Sequence, residues 1–596
     1  MIILGLNLEE ACSAALMIDG VIVAAVSEER FVRKKNYSGF PINSINFCLD
    51  LSSIKIEDVD IIGIQGLHVT LNAIKYSYVQ RRSNFSVLDY VKEEKEYWCP
   101  IIYENKSIDY LDVFKDKICL DTFNSNFNDF FFKEYKNCKN IDSYQNMIRQ
   151  MVISYFPQVS REKIQFASHH DCHALYGYYG CSNIDISVPY LIVVIDSWGD
   201  YENATVFKMY DNKLTLLYRS DNNNFGKLYR NMTVYLGMKP YEHEYKVMGL
   251  ASYVSDEIFN PASKIFDDTM SVDGINFVYK NKPQDYYLWF KEKLDGIRFD
   301  YISRGLQDYI EKKIKTWLNN IIDEFGINNI IFSGGVAMNI KLNMRLSQLN
   351  SVNKFFVPGS ADDSSNCIGV CFYFNNKNGK ETSFLKNLYL GQNISDSEVY
   401  KEIDNYRLRE EYKIIENISS SQISDKLSEG KIIARCAGRM EFGARALGNR
   451  SILADPRDLK VVDKINKVVK KRDFWMPFAP TIIDICWNEY LDNEKNIFSP
   501  YMTTGFNTTK IGENCLCAAV HRADKTSRPQ MLTRDQNEDF YDIIKSFYSK
   551  TGVGAVLNTS FNLHGFPIVR NCNDAIDVFL NSDIDGLLLN NVYIEK

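Results

Sequence analysis

MIILGLNLEEACSAALMIDGVIVAAVSEER (residues 1–30) and YLIVVIDSWGDYENATVFKMYDNKLTLLYRS (residues 190–220) share one layout. Each opens with an apolar run long enough for a buried strand, breaks in a short polar loop, and resumes as a second strand. A turn dipeptide, Asp19-Gly20 or Asp211-Asn212, then leads into a third strand. A three-strand meander that occurs twice, with helical sequence between, predicts a duplicated α/β domain.

The rest of the chain is read outward from that repeat. Residues 70–165 are polar, aromatic-rich and helix-patterned, as in VLDYVKEEKEYW (87–98) and FNDFFFKEYKN (127–137), and read as a helical insertion. LQDYIEKKIKTWLNNIIDEFG (306–326) predicts an amphipathic helix stopped by Gly326. NIIFSGGVAMNIKLNMRL follows as strand, glycine turn and helix. At 375–384 the composition shifts to NNKNGKETSF, a domain boundary. Residues 385–596 restart as an independent α/β unit with arginine-rich motifs.

A chain of 596 residues exceeds one compact core, and the hydrophobic content of 45% is ordinary for a globular protein. A net charge of −7 disfavours nucleic acid or an anionic membrane as the general partner. The amino terminus lacks a basic run ahead of its apolar residues and reads as a first strand, not a signal peptide. No apolar run is long enough for a membrane span. The 14 cysteines are scattered, which fits free thiols in a cytoplasmic chain.

FASHHDCHALYG (166–177) holds three of the seven histidines. His169 and His173 are four apart, so a helix puts both imidazoles on one face, within reach of one metal. His170 stands where HExxH needs Glu, which excludes the zincin pattern. Taken alone, the pair fits a metal site and a plain helix start equally. Asp196 ends the strand LIVVID, and Asp363 lies in VPGSADDSSNCIG. Two His and two Asp make a mixed N/O set suited to iron, manganese or zinc. Gly334 and Gly335 in SGGVAMN (333–339) let backbone approach a nucleotide at a helix start. In the second half, Arg439, Arg445, Arg450, Lys470, Lys471, Arg472 and Arg528 are spread over motifs rich in small and turn residues. Such groups can converge on a phosphate or carboxylate.

These motifs together resemble the NodU/CmcH/TobZ family of O-carbamoyltransferases. The shared set is LGLN, AAVSEERFVRKK, HHDCHA, EYKVMGLASY, SGGVAMN, GRMEFGARALGNRSILADPR, VKKRD with PFAP, and NTSFN with PIV, in family order from end to end. The resemblance implies a duplicated actin-like (ASKHA, RNase H-like) domain over 1–380 and a YrdC-like α/β domain over 385–596. It implies that carbamoyl phosphate and ATP give carbamoyl adenylate in the second domain. The carbamoyl group then passes, in the first, to a hydroxyl or amine of a small specialised metabolite. It further implies a divalent metal, typically iron (Fe2+), held by His169, His173, Asp196 and Asp363, with Mg2+ able to accompany ATP. Gly334, Gly335, Asn339 and Lys246 would lie at the nucleotide. Arg445, Lys470, Arg528 and Ser560 would lie at carbamoyl phosphate or nucleotide.

The chain also departs from that pattern. Glu10 and Ala11 replace the His-Asp of the first hairpin, and Glu10 becomes the candidate general base. Met476 replaces an Arg, Phe566 a Glu, Lys525 a Gly and Ser365 a Gly. Two other readings follow: a family member with altered donor or acceptor chemistry, and a degenerate binding protein without catalysis. The sequence names neither the acceptor nor the oligomeric state.

Overall fold

The computed structural model describes residues 1–67, 76, 79–80, 83–117, 134, 138, 140–255, 257–470 and 473–596, the side chains of 468 and 470 excepted. The segment 127–137 therefore lies almost wholly outside the described residues. The chain divides into two compact units, one of 1–28 with 36–384 and one of 29–35 with 385–596.

The first unit is built on two sheets of the same topology. β1 (Ile2–Asn7), β2 (Ser13–Ile18) and β3 (Val21–Ser27) form the first meander, and β4 (Ile61–Gln65) and β5 (Ile164–Ala167) extend it in the order β3-β2-β1-β4-β5. β6 (Tyr190–Gly199), β7 (Glu202–Tyr210) and β8 (Lys213–Ser220) form the second. After a small hairpin of β9 (Met270–Asp273) and β10 (Asn276–Tyr279), β11 (Asn329–Ser333) and β12 (Lys354–Phe356) complete the mirrored order β12-β11-β6-β7-β8. β1 pairs β4, and β6 pairs β11, in parallel. This is the duplicated actin-like architecture. Its hairpin turns follow from sequence: Asp19, Gly20, Asp211 and Asn212 all take positive φ (47, 79, 52 and 54°), the geometry of a tight two-residue loop between twisted strands.

Two helices fit against these sheets at close quarters. In the helix Asn366–Lys377, Gly369 meets the helix His169–Tyr179; a Cβ there would fall 2.3 Å from the Cys172 carbonyl oxygen. A Cβ at Gly5 of β1 would fall 2.0 Å from the Cys367 carbonyl oxygen. The long helix runs Phe299–Phe325 and ends at Gly326 in the left-handed conformation (φ 65°), as expected. It starts seven residues before position 306. Gly305, one residue before the expected start, is a contact point: a Cβ there would lie 2.8 Å from the Ser263 nitrogen. In the insertion, Tyr90, Tyr97, Tyr110 and Phe114 form an aromatic cluster with Val234 and Tyr287. Arg230 joins the insertion to the core, with Glu93 at 3.6 Å and Glu94 at 3.4 Å.

The second unit carries β13 (Lys413–Ile415), β14 (Ile433–Cys436), β15 (Arg450–Ala454), β16 (Ala479–Ile483), β17 (Phe506–Asn507), β18 (Thr526–Ser527), β19 (Gln530–Leu532), β20 (Ala555–Ser560), β21 (Gly586–Leu589) and β22 (Val592–Glu595). Eight of them form one mixed sheet, β13-β22-β21-β14-β15-β20-β16-β19. Its apolar face buries Ile452, Leu557, Ile576, Phe579 and Leu587 in one core. Among the described residues, no helix is long and apolar enough to cross a membrane.

The close helix approach makes Gly369→Ala a test of the arrangement. A methyl cannot fit 2.3 Å from a backbone oxygen. The variant is expected to lose about 1–3 kcal/mol of stability, the usual range for overpacking. Calorimetric unfolding of the full chain reads this as a lower midpoint for one unit. An unchanged midpoint would show that the two helices can separate freely.

Candidate active site

The carboxyl ends of β1, β4, β6 and β11 and the starts of two helices place the site. Ser168 caps the helix His169–Tyr179, its side chain accepting from the Asp171 N–H (3.4 Å), so His169 and His173 fall on successive turns of one face. Asp196 stands near the end of β6, and Asp363 opens a short turn before the helix Asn366–Lys377. The spacing argument is met by the geometry. His173 Nε2 lies 3.2 Å from His169 Nε2, 3.1 Å from Asp363 Oδ1 and 3.3 Å from Asp196 Oδ2. One ligand atom from each of the four residues lies within 4.8 Å of the others.

Three side chains that the sequence reading passed over hold this quartet. Gln65, at the end of β4, places its Oε1 3.0 Å from His169 Nδ1 and donates from Nε2 to Asn7 Oδ1 (3.3 Å). Asn7, at the end of β1, donates to the carbonyls of Glu10 (2.8 Å) and Asp363 (3.0 Å). Asn366 Nδ2 lies 3.1 Å from His173 Nε2. A proton on His169 Nδ1 donated to Gln65 leaves Nε2 as a lone pair facing the quartet, the orientation a metal-bound imidazole needs. The residues present thus fit a divalent cation with mixed nitrogen and oxygen ligands.

The electrostatics agree. Burial alone would drive the pKa of His169 down, but Asp363 and Asp196 outweigh it and raise it to about 10. Burial opposes a charged Asp196 as well, yet hydrogen bonds from His169 and His173 hold its carboxyl well below the usual range. His170 takes no part. It lies 2.9 Å from Thr205 Oγ1, and burial with the two neighbouring histidines pushes its pKa to about 3. Glu9, which the sequence pattern does not single out, lies beside Glu10 in the same loop and is half-buried like it. Burial raises its pKa to about 8, against the pull of His169 and with the push of Asp363, Asp200 and Glu10. Glu10 is half-buried in the same hairpin loop, and its carbonyl accepts from Asn7.

The glycine turn joins the same site. Gly334 has φ 90°, and a Cβ there would lie 2.4 Å from the Ile195 carbonyl oxygen. The Gly335 N–H donates to Asp196 Oδ2 (3.0 Å). Asn339 caps the helix Ile340–Ser347 through the Leu342 N–H (3.0 Å) and donates to Gln307. Lys246 is half-buried on the helix Glu244–Ala251.

In the second unit the signature loop 437–449, between β14 and β15, is held mostly by its own charged residues. Arg450 is fully buried and donates to the carbonyls of Ala437 (2.9 Å), Asn449 (3.0 Å), Arg570 (3.0 Å) and Gln392 (3.1 Å). Buried Glu441 accepts from the Leu447 N–H (2.7 Å) and the Arg450 N–H (3.1 Å). Arg439 donates to the Leu390 carbonyl (2.7 Å). Arg439 and Arg450 are therefore scaffolding, contrary to the expectation that the arginines of this motif converge on a ligand. Asn558 and Gln530 grip the carbonyls that follow Arg445: Asn558 Nδ2 reaches Ala446 O (3.2 Å), and Gln530 Nε2 reaches Leu447 O (2.9 Å). Ser560, two residues beyond Asn558, ends β20 opposite Ser451 and donates to Asn562 Oδ1 (2.7 Å). Arg528 lies two residues before Gln530 and is half-buried, as is Arg445. The side chain of Lys470 lies outside the described residues. Met476 lines a small cavity with Trp475, Phe478 and Val520, in which Arg522 is the charged lining residue among those described.

The family model for the carbamoyltransferase N-terminus matches residues 3–372, and that for the carbamoyltransferase C-terminus matches residues 424–596. An uncharacterized protein of Methanocaldococcus jannaschii is 30% identical over 100% of this chain and 99% of its own length. Nodulation protein NolNO of Sinorhizobium fredii is 28% identical over 98% of this chain and 78% of its own. The 3'-hydroxymethylcephem-O-carbamoyltransferase of Amycolatopsis lactamdurans is 24% identical over 45% of this chain and 49% of its own. With both models matched in order, on the actin-like unit and on the mixed-sheet unit, the chain belongs to the carbamoyltransferase family.

Proposed function

We propose that the chain is an ATP-dependent carbamoyltransferase acting on a hydroxyl or amine of a small specialised metabolite. In the second unit, water cleaves carbamoyl phosphate to carbamate and inorganic phosphate, and a carbamate oxygen attacks the α-phosphorus of ATP, giving carbamoyl adenylate and releasing pyrophosphate; in the first, the acceptor attacks the carbamoyl carbon and AMP departs. The observation that carries this reading is the meeting of His169, His173, Asp196 and Asp363, from distant parts of the chain, in one buried cluster. That cluster weighs against a degenerate binding protein, because like-charged and polar groups are not gathered in a protein interior without a use. A divalent cation there, iron in this proposal, would neutralise phosphate charge as AMP leaves.

This chain's own groups then have distinct tasks. His169 and His173 present Nε2 atoms and Asp196 a carboxylate. Asp196 is held in place by the Ser197 N–H (2.5 Å) and the Gly335 N–H. Gly334, Gly335, Asn339 and Lys246 frame the adenylate. Glu9, as the acid coupled to the quartet, takes the acceptor's proton, since a carboxyl raised to about 8 is a competent base near neutral pH. In the second unit Arg445, Lys470, Arg528 and Ser560 serve the donor.

Pyrophosphate release from ATP with carbamoyl phosphate, before any acceptor is added, tests the donor step; its absence in metal-replete protein would overturn the reading. His173→Ala should lose the metal, read as metal content after dialysis, and lose transfer by about a hundredfold or more while still releasing pyrophosphate.

Metal binding must displace protons from the histidines. About one proton should appear in unbuffered solution for each cation bound near neutral pH. The sign also fixes the metal-free stability. His169 is raised from 6.5 to about 10, so its contribution is complete below about pH 6.5 and fades as pH rises towards about 10. Denaturant midpoints of metal-free protein should therefore fall across that window.

Glu9→Gln should slow transfer by about a hundredfold, and Glu10→Gln much less. The reverse order would return the base to Glu10.

Met476, which stands where the family pattern has an Arg, favours one second reading, a changed donor. Met476→Arg separates the two. Improved use of carbamoyl phosphate marks a weakened site, and no improvement marks a different donor.

A further inference from the structure

The loop that follows Asp196 is fixed on both sides. A Cβ at Gly226, in the helix Phe225–Tyr235, would lie 2.8 Å from Ser197 Cβ. A Cβ at Gly199 would strike the His169 ring at 2.3 Å. Asp200 accepts from the His169 N–H (2.7 Å) and the Leu67 N–H (2.7 Å). Asp200 and Tyr201 both take positive φ (48 and 68°), as the two-residue turn between the paired Gly199 and Glu202 requires.

Yet this anchored loop turns two large aromatic residues outward. Trp198 is 39% exposed and Tyr201 49% exposed, their rings edge to face at 6.3 Å. Lys227 lies with its Nζ 4.4 Å from the centre of the Trp198 ring. It is half-buried and feels the charges of Lys282 and Asp221, and among the described residues no ion pair within 4 Å holds its ammonium. A ring face attracts an ammonium but accepts none of its three N–H donors as an oxygen would. The plain alternative is a lysine lying along a surface tryptophan; what favours a site is that Trp198 stands two residues from Asp196 on the strand that carries it.

We propose that Trp198 and Lys227 form the acceptor platform of the first unit, taking acceptors that carry an anionic group, such as a carboxylate or sulfate, beside a ring. The ring would lie on the indole, and the anion would complete the ammonium's hydrogen bonds. This rests on the proposed carbamoyl transfer. The adenylate's own phosphate is a second source of negative charge, but the quartet and its cation already meet it in that reading.

The test uses full-length protein with matched acceptors: para-hydroxymethylbenzoate, a uronic acid and a hydroxymethylcephem carboxylate, each against its methyl ester. Carbamoylated product is read by mass spectrometry. The acid should be preferred over its ester by about tenfold in kcat/KM for at least one pair, the worth of one charge-assisted hydrogen bond. That preference should fall to near one in Lys227→Met and persist in Lys227→Arg. Trp198→Ala should raise KM for both members of the pair, with partial recovery in Trp198→Phe. Equal use of acid and ester by the unaltered protein overturns the proposal. So does an equal loss for both in Lys227→Met with slower AMP release in the absence of acceptor, which would put the cation on the adenylate. If no pyrophosphate forms at all, the carbamoyl-transfer reading fails by itself. Saturation-transfer NMR of acid against ester, in unaltered and Lys227→Met protein, then decides the platform separately.

Discussion

The Cys172 carbonyl occupies the space that a side chain at position 369 would need. Much of the first unit depends on that contact. It brings the helix Asn366–Lys377 against the helix His169–Tyr179, so that Asp363, just ahead of one helix, reaches His173 near the start of the other. Gly5 extends the same fit to β1. β1 and β4 are neighbours in parallel, so Asn7 and Gln65 end side by side and pass hydrogen bonds from Asp363 through to His169. Strand ends and helix starts meet at one edge of an α/β sheet, where ligands of such folds gather. The donors there are fixed before any ligand arrives, which lowers the cost of ordering them.

The duplication was legible because it is written in local rules: alternating apolar runs and turn dipeptides whose residues tolerate positive φ. The pairing of His169 with His173 was legible for a related reason, since i, i+4 histidines share a helix face whatever surrounds them. Gln65, Asn7, Asn366 and Glu9 were not. Their roles come from β1–β4 pairing and helix packing, contacts between positions hundreds apart in sequence, and no local pattern marks one Gln or Asn among many. The start of the long helix was not legible either: it begins at Phe299, and Gly305, within it, packs against Ser263. The signature loop of the second unit misled in a third way. Arginines suggest anions, but Arg450 is used up on backbone carbonyls and gives the loop its shape.

The positions at which the chain leaves its family's pattern divide by physical consequence. Ser365 is absorbed: its hydroxyl donates to the Asp362 carbonyl (3.0 Å) and its residue is fully buried. Lys525 stands where the pattern has glycine, and its φ of 56° shows why glycine suits that place. The chain offsets the strain locally, with the Lys525 N–H on the His521 carbonyl (2.9 Å) and its Nζ on the Arg522 carbonyl (2.8 Å). Ala11 likewise keeps φ at 52°, a conformation that Asp adopts more readily than Ala. At both places the backbone holds the left-handed region with a residue that suits it less than the one in the pattern. Met476, Phe566 and Glu10 are departures of another kind. Each changes charge or polarity at a site motif, and Phe566 does so while half exposed. A chain drifting out of function would lose the costly features first: the strained turns, the buried quartet, the loop held by Arg450. This one holds all three, which accords with a working member of the carbamoyltransferase family.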